Sequence, residues 1–472
     1  MFGFPDQLRN ILILGIFPLL LGGCLLGPDY ERPEVVEPAG FRGVEGSTEA
    51  QSIADANWAT VTNDPVLQEL IRTAITNNLD LRVATARVTE ARARYGIVHS
   101  FIYPEVGVAG GYSSEQNSQL ADQTQGSGGS RSYQDWDVGV QASWELDLFG
   151  RIRRESEAAF AEYLATEEGQ RAVLVSLVGD VSSTYLLMRQ LDLQLEIARQ
   201  TAVTNQETVD FYRKRLEGGL SNRLEVDTAV ANWARTNTLI PQIESQIAAA
   251  ENALSQLLGQ PPGPIKRGAA LTSKHVPAAI PVGLPAGLLE RRPDVMAAEQ
   301  QLVAANARVG AAKALFFPRI SLTGLYGGVS GDFSDLLDND AEVWSVNPSL
   351  FAPVFQGGRL TRNYEASKAV YEQAFAQYQQ AALNGYREVA NALVALRTLK
   401  EARTTLETGV EALQDAVTLS RLRYDTGLAS YLEILNADQE LFNQQIQLAQ
   451  TEGDELRTYV ELYRALGGGW QQ

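Results

Sequence analysis

Residues 151–217 read RIRRESEAAFAEYLATEEGQRAVLVSLVGDVSSTYLLMRQLDLQLEIARQTAVTNQETVDFYRKRLE, a stretch without a single proline. As one continuous helix it would extend about 100 Å at roughly 1.5 Å per residue, a length that no ordinary globular domain needs. Val181, Thr184, Met188, Leu191, Leu195, Ala198, Ala202, Asn205, Val209, Tyr212 and Leu216 follow a sustained 3-4 spacing. That spacing predicts a left-handed coiled-coil seam. The chain then meets Gly218-Gly219, where glycine permits the positive φ of a tight helix–helix turn. It returns along 222–258 with Val226, Ala229, Trp233, Ile240, Ile243, Ile247, Leu254 and Leu257 in complementary spacing. The expectation is a long antiparallel helical hairpin over 151–259.

The hairpin occurs twice. Residues 151–259 realign without gaps on 359–467 at a constant shift of 208, which places Arg151 on Arg359, Glu157 on Glu365, Tyr163 on Tyr371, Arg189 on Arg397 and Arg215 on Arg423. Gly219-Leu220 falls on Gly427-Leu428, and Leu258-Gly259 on Leu466-Gly467. A period this long reads as duplication of one supersecondary unit and not as a solenoid. In the second seam only Arg403 and Ser420 break the apolar rule. A helical stretch precedes each hairpin, about 64–100 and 285–315, and ends at Pro104 and Pro318.

Between those helices and the hairpins the period changes to two. Trp136, Val138, Val140, Ala142 and Trp144 alternate with polar residues or glycine, and Val106, Val108, Gly110 and Tyr112 offer a partner of the same parity. The second copy gives Ile320, Leu322, Gly324 and Tyr326, then Trp344, Val346 and Leu350 with Pro348 as an interruption. Polar turns at 125–130 and 331–335 separate the partners. Strands of this length, apolar on one face and bounded by Trp and Tyr, suit a transmembrane β-barrel with a wet interior. Alternation alone fits a soluble sandwich equally well. If a barrel forms, four strands cannot close it, because single-chain barrels need at least eight, so several subunits must contribute.

The amino terminus favours the membrane. Arg9 precedes an eleven-residue apolar run, Ile11 to Leu21, too short to span a bilayer, as in a secretory signal peptide. The run ends in Leu21-Gly22-Gly23-Cys24, with the only cysteine of the chain. This resembles the bacterial lipoprotein cleavage box, which implies a mature chain beginning at Cys24 with a diacylglycerol and an N-acyl chain as its covalent lipid. Such chains anchor through additive burial of methylenes. Leu25, where aspartate is absent, is read as favouring outer-membrane sorting. The organisation expected is a signal peptide over 1–23, an extended strap over 24–57, and a first repeat over 58–259 with its β-hairpin at 105–146. A linker over 260–284 follows, then a second repeat over 285–467 with a β-hairpin at 319–354 and a helical hairpin at 359–467, and a tail over 468–472. Seven of the eighteen prolines cluster in 260–293, as befits an extended connection.

Composition narrows the function. A formal charge of −18 over 472 residues argues against nucleic acid as a partner. One cysteine and two histidines leave no intrachain disulfide and no Cys/His zinc site within one chain, so no metal and no other cofactor is expected. Without a Gly-rich phosphate loop, and with almost no histidine to serve as a base, an enzyme is not expected.

Several motifs bring these features together. These are Gly27-Pro28-Asp29-Tyr30 with Arg32-Pro33, Asp64-Pro65 with Leu67 and Leu70 then Asn78-Leu79-Asp80-Leu81, Gly283-Leu284-Pro285 with Leu288-Leu289-Glu290-Arg291-Arg292-Pro293-Asp294, and Phe317-Pro318 with Ile320-Ser321-Leu322, and the resemblance they carry covers nearly the whole mature chain. The sequence resembles the outer-membrane factor family, the TolC-like exit ducts of tripartite efflux pumps, in its lipoprotein branch. The resemblance implies a mainly α protein with a membrane β-barrel portion. It also implies a homotrimer whose twelve strands close one barrel in outer-membrane lipid, with a long α-barrel in the periplasm. Its implied partners are a periplasmic adaptor, or membrane fusion protein, and an inner-membrane transporter of the resistance-nodulation-division type. The implied role is passive conduction of drugs or other toxic small molecules.

The same resemblance directs attention to the turns, where the family closes its tube. Glu225 and Glu433 each stand six residues after a turn glycine and match acidic positions of the closed aperture. Six such charges around a trimer axis would repel one another, favour cations and respond to divalent ions. Tyr424 matches a tyrosine that holds the inner hairpin closed, whereas Ala429 replaces an arginine found in some members and Asn436 replaces a second acid. Arg213, Arg215, Arg421 and Arg423 are candidate braces, with Arg223 and Asp227 further candidates; each reads equally as a surface ion pair. Gly218, Gly219, Leu220 and Ser221, with Gly427, Leu428, Ala429 and Ser430, match the tips to which adaptors dock. Two competing readings are a lipid-anchored periplasmic coiled-coil scaffold without a pore and the exit duct of a protein or metabolite secretion system.

Overall fold

The computed structural model describes residues 24–38, 40–41, 52–55, 64–116, 132–268, 270–271, 282–283, 285 and 287–469. The expected signal peptide, parts of the strap and linker, the turn at 125–130 and the last three residues lie outside them. The chain divides into two compact units. One gathers the described residues up to Pro33 with Val88–Ala165 and Ala298–Gln377; the other gathers Glu34–Arg87, Thr166–Ala297 and the residues from Tyr378.

In the second unit, Asp64 caps helix α1 (Pro65–Asn77), its carboxylate accepting the Val66 N–H at 2.9 Å, while Pro65 occupies a first-turn position that needs no donor. The expected single helix over 64–100 is two helices. Asn78 ends α1 and caps α2 (Leu79–Ser100), accepting the Leu81 N–H and donating to the Leu257 carbonyl, both at 2.9 Å. The stretch 285–315 is likewise broken, into α5 (Gly287–Arg291) and α6 (Pro293–Ala314). Arg292 sits at the break, buried, and its guanidinium meets Asp294 at 2.7 Å, Glu388 at 2.8 Å and the Ala465 carbonyl at 2.8 Å. Both breaks fall where a polar side chain is required elsewhere in the fold.

The long stretches form as expected. Helices α3 (Arg151–Glu217) and α4 (Arg223–Leu257) make the first hairpin, and α7 (Arg359–Asp425) and α8 (Tyr431–Ala465) the second. Val181, Met188, Leu191, Ala198, Ala202, Asn205, Val209 and Tyr212 are buried, whereas Leu216 at the end of the seam is exposed. Arg403, which breaks the apolar rule of the second seam, points to a partner instead of solvent: its Nε lies 2.8 Å from buried Glu455.

The first unit holds one antiparallel sheet, ordered β1 (Glu105–Gln116), β2 (Ser132–Leu146), β3 (Arg319–Ser330), β4 (Glu342–Phe351). Its register matches the expected parity: Val106 faces Ala142, Val108 faces Val140, Tyr112 faces Trp136, and Tyr326 faces Trp344. The two copies join through β2 and β3, which pair from Trp136↔Ser330 to Leu146↔Ile320. Pro348 does not interrupt β4; it lies opposite Leu322 on an edge strand, where a missing N–H is tolerated. The second β-hairpin ends at Phe351, short of the expected residue 354. Val106, Val108, Tyr112, Val140, Tyr326, Trp344, Val346 and Leu350 leave the apolar face exposed across all four strands. Glu105, Gln141, Ser143, Thr323, Ser345 and Asn347 line a hollow on the opposite, polar side.

Candidate functional site

The strap after Cys24 is extended and fastened residue by residue. Arg154, almost wholly buried, donates to the Leu26 carbonyl at 3.1 Å and to Asp29 and Glu157 at 2.8 Å. Desolvation by burial works to lower the Arg154 pKa, but hydrogen bonds to Asp29 and Glu157 and their charges outweigh it and leave the pKa raised. Arg32 grips both oxygens of buried Glu299 at 2.6 and 2.8 Å, Tyr30 donates to the same carboxylate at 3.2 Å, and Asn306 donates to the Pro28 carbonyl at 3.0 Å. Gly27, at φ +103°, approaches Gly310 so closely that a Cβ would stand 2.4 Å from the Gly310 Cα. The Gly-Pro-Asp-Tyr and Arg-Pro motif is therefore a clasp. Cys24 ahead of it is an exposed free thiol.

The two helical turns have one backbone. Gly219 and Gly427 stand at φ +72° and +75°, and Leu220 N donates to the Arg215 carbonyl as Leu428 N donates to the Arg423 carbonyl, each at 2.8 Å. This is the closing bond of a glycine-ended helix. Neither glycine has a neighbour that a Cβ would strike, so backbone conformation alone requires them. Leu220, Leu224, Leu428 and Leu432 are exposed around the turns.

The carboxylates are held differently. Ser221 donates to Glu225 at 2.5 Å, and Asn222 caps α4 by accepting the Glu225 N–H at 3.0 Å. Glu433 instead lies 3.4 Å from the Arg423 Nε, and Ser430 caps α8 without a side-chain bond. Arg421 donates to Asp438 at 3.2 Å. Arg213 pairs with Asp210 at 3.6 Å and Arg223 with Asp227 at 3.5 Å, each on its own helix and exposed. Asn436 is exposed. Arg215 lays its guanidinium over the Phe211 and Tyr424 rings, 5.5 Å from each centroid.

Behind the turns stands an aromatic cluster that joins Tyr212 of the seam and the gate candidate Tyr424 to Tyr431, which the sequence does not single out. Tyr212 and Tyr431 are buried with ring centroids 4.3 Å apart, and half-buried Tyr424 packs beside them among Val209, Val226, Ala229, Ile434 and Leu435. Burial, with a hydrogen bond to Tyr424 and the charge of Glu225, raises the Tyr212 hydroxyl pKa; burial and the nearby Asp438 push Tyr431 up to about 12. Both phenols therefore stay neutral donors. Burial also raises the Asp438 carboxyl, against the lowering influence of Arg421. Asp438 lies two residues past Asn436, and only its packing distinguishes it from other acids of α8. Further from the turns, Asn205, Thr236, Asn232 and Gln439 form a hydrogen-bonded layer, with contacts of 3.0 Å for Asn205 to Thr236, 3.2 Å for Asn232 to Asn205 and 3.1 Å for Gln439 to Asn232.

The family model described as outer membrane efflux protein matches residues 70–260 and again 284–468, the two halves of the duplication. The toluene efflux pump outer membrane protein TtgI of Pseudomonas putida is 37% identical over 465 residues, covering 96% of this chain and 97% of that protein. The cation efflux system protein CusC of Escherichia coli is 35% identical over 454 residues, with 96% and 97% covered. A crystal structure of CusC, from work on folding and transmembrane channel formation, superposes with a TM-score of 0.85 at 34% identity, covering 94% of this chain and 100% of that one. The chain belongs to the outer membrane efflux protein family, as an efflux channel of the outer membrane and not an enzyme.

Proposed function

We propose that three copies of the chain close one twelve-stranded barrel and together form the passive exit duct of a tripartite pump. The observation that carries this reading is the sheet. Its apolar face is exposed over strands of 10 to 15 residues, and among the described residues β1 and β4 each have one partner strand. Long unprotected edges invite pairing, and an exposed apolar face seeks lipid. Closure edge to edge removes both liabilities and leaves the polar face around a wet lumen.

A lipid on Cys24 would anchor the assembly beside the clasped strap. The exposed leucines of the two turns suit docking of a periplasmic adaptor, behind which an inner-membrane transporter, of the resistance-nodulation-division type, supplies the energy. Glu225 and Glu433 are the proposed lining of a closed aperture at those turns. TtgI carries toluene in its name and CusC cations, at nearly the same identity to this chain. Cargo choice therefore rests with the transporter, and the duct passes toxic small molecules as a class. Purified protein in planar lipid bilayers tests the reading: discrete conductance steps are expected, and lipid-anchored protein that never conducts would be a scaffold without a pore.

A further inference from the structure

The turn between β3 and β4 lies at the end of the sheet away from the helices, which join it next to Glu105, Leu146, Arg319 and Phe351. Residues 331–341 fold back there over the apolar face. The register shows how room is made for them. Gly110, Val138 and Gly328 form one row across β1, β2 and β3, on the same face as the row of Val108, Val140 and Tyr326 two residues away. A Cβ on Gly328 would collide with the Leu336 carbonyl oxygen and stand 3.6 Å from that of Ala341, so the backbone of the turn rests directly on the strand. Leu336 and Ala341 are buried, and Phe333 meets the Trp136 ring edge-on at 5.1 Å, with Tyr112 at 4.6 Å from the same tryptophan.

What the turn presents outward is apolar in part and ionised in part. Leu337 is 88% exposed and Phe333 67%. With Gly110, Tyr112, Trp136 and Val138 they border a hollow of about 670 Å³. A second hollow, of about 390 Å³, is lined by Leu336 and Leu337 together with Val108, Val140 and Tyr326, and is therefore continuous with the apolar face of the sheet. Asp332, Asp335, Asp338 and Asp340 are interspersed with these apolar residues and all are exposed. No lysine or arginine occurs between Arg319 and Arg359 to neutralise them, so the carboxylates need water. Exposed leucine and phenylalanine beside open apolar hollows mark an interaction surface. The boundary between hydrocarbon and headgroups is the one environment that satisfies both kinds of residue at once.

We infer that residues 331–341 are an interfacial wedge on the outer wall of the barrel: Phe333 and Leu337 enter the hydrocarbon of the outer leaflet, acyl chains fill the two hollows, and Asp335, Asp338 and Asp340 stay among the headgroups. The occupant is lipid because the second hollow continues the face that the barrel turns to lipid. A protein partner would have to bury or neutralise the carboxylates, and the turn brings no cation of its own to help. The wedge gives the turn a task apart from conduction. It sets how deep the sheet sits, since the leucine and phenylalanine resist rising into water and the carboxylates resist sinking into hydrocarbon. This inference rests on the barrel proposed above and adds the element that holds its outer rim in the bilayer.

Nitroxide labels test it in full-length protein reconstituted into phosphatidylcholine vesicles, with the signal of protein carrying no added cysteine subtracted. A label on Leu337→Cys should collide with dissolved oxygen more often than with a water-soluble nickel chelate, by a ratio several times that of a label on Asp340→Cys, which should favour nickel. Gly328→Val, whose side chain strikes the backbone of the turn, should bring the Leu337 label down towards the Asp340 ratio while trimers form as before. A Leu337 label that favours nickel places the turn in water, and one shielded from both probes places it under protein. One indifferent to Gly328→Val is not seated on that strand. Each of these results overturns the wedge, and leaves the duct standing when the same vesicles conduct. Vesicles with neither trimers nor conductance overturn the barrel reading and the wedge together.

Discussion

At the first turn Glu225 is fastened by a hydroxyl four residues away and by a capping asparagine, all within one tight loop. At the second, Glu433 reaches across its hairpin to Arg423, and both partners stand about half exposed. The backbone bonds that end the first helix recur at both turns, down to the closing 2.8 Å contact, but at the start of the return helix the Glu225 N–H bonds the Asn222 side chain while the Glu433 N–H bonds the Ser430 carbonyl. Duplication has preserved the turn and let the fastening diverge. A hydroxyl-to-carboxylate bond and a side-chain cap, both local, hold the first tip, and a charge pair open to salt screening holds the second.

The largest effect separates the shared core from both fastenings. Tyr212→Ala removes a buried ring that touches Tyr431 and Tyr424, a change worth about 3–5 kcal/mol for a large aromatic. Amide exchange should rise around both turns together, and Tyr424→Ala, from a half-buried site, should do less. If Tyr212→Ala loosens only the first turn, the tips do not share a core.

Next come the turn glycines. Gly219→Val and Gly427→Val should each lose about 1–2 kcal/mol through backbone strain alone, and by equal amounts, because φ is the same and space is open at both. Unequal losses would show that one turn bears a contact the other lacks. The caps sharpen the contrast. Asn222→Ala should cost about 1 kcal/mol, whereas Ser430→Ala, whose hydroxyl makes no capping bond, should change hairpin stability by only a few tenths.

The smallest effect is electrostatic. The Asp438 carboxyl pKa is raised in the folded chain, so its contribution is fully present below the ordinary carboxylate range near pH 4 and is lost as pH rises through the folded value. The second hairpin should therefore tighten slightly as the medium is acidified across that window, and Asp438→Asn should flatten the response in amide exchange. A response of the same sign and size at the first hairpin would dissolve the distinction between the tips.

Much of this was legible from residue order because periodicity and duplication report directly on backbone. The parity that sets Val106 against Ala142, the seam through Val209 and Tyr212, and the turn glycines need no tertiary information. The helix breaks at Asn78 and Arg292 were hidden for the opposite reason. Each is made by a side chain whose partner lies far along the chain, the Leu257 carbonyl for one and Glu388 with the Ala465 carbonyl for the other. Pro348 misleads because a proline is harmless in a strand only when the strand is an edge, which depends on topology. At the tips the acids were found by position, but Asp438 and Tyr431 are distinguished by burial, which no local pattern announces. The motif at Gly27 to Pro33 was visible as a pattern, yet its meaning as a clasp lies in buried Arg154 and Glu299.

Native mass spectrometry of the full-length protein released from detergent micelles addresses the central claim most directly, because it counts the chains that close the sheet. A species of three chains, with the single chain absent under gentle activation, is the predicted result. A stable single chain, or a two-chain species that cannot supply twelve strands, would contradict it.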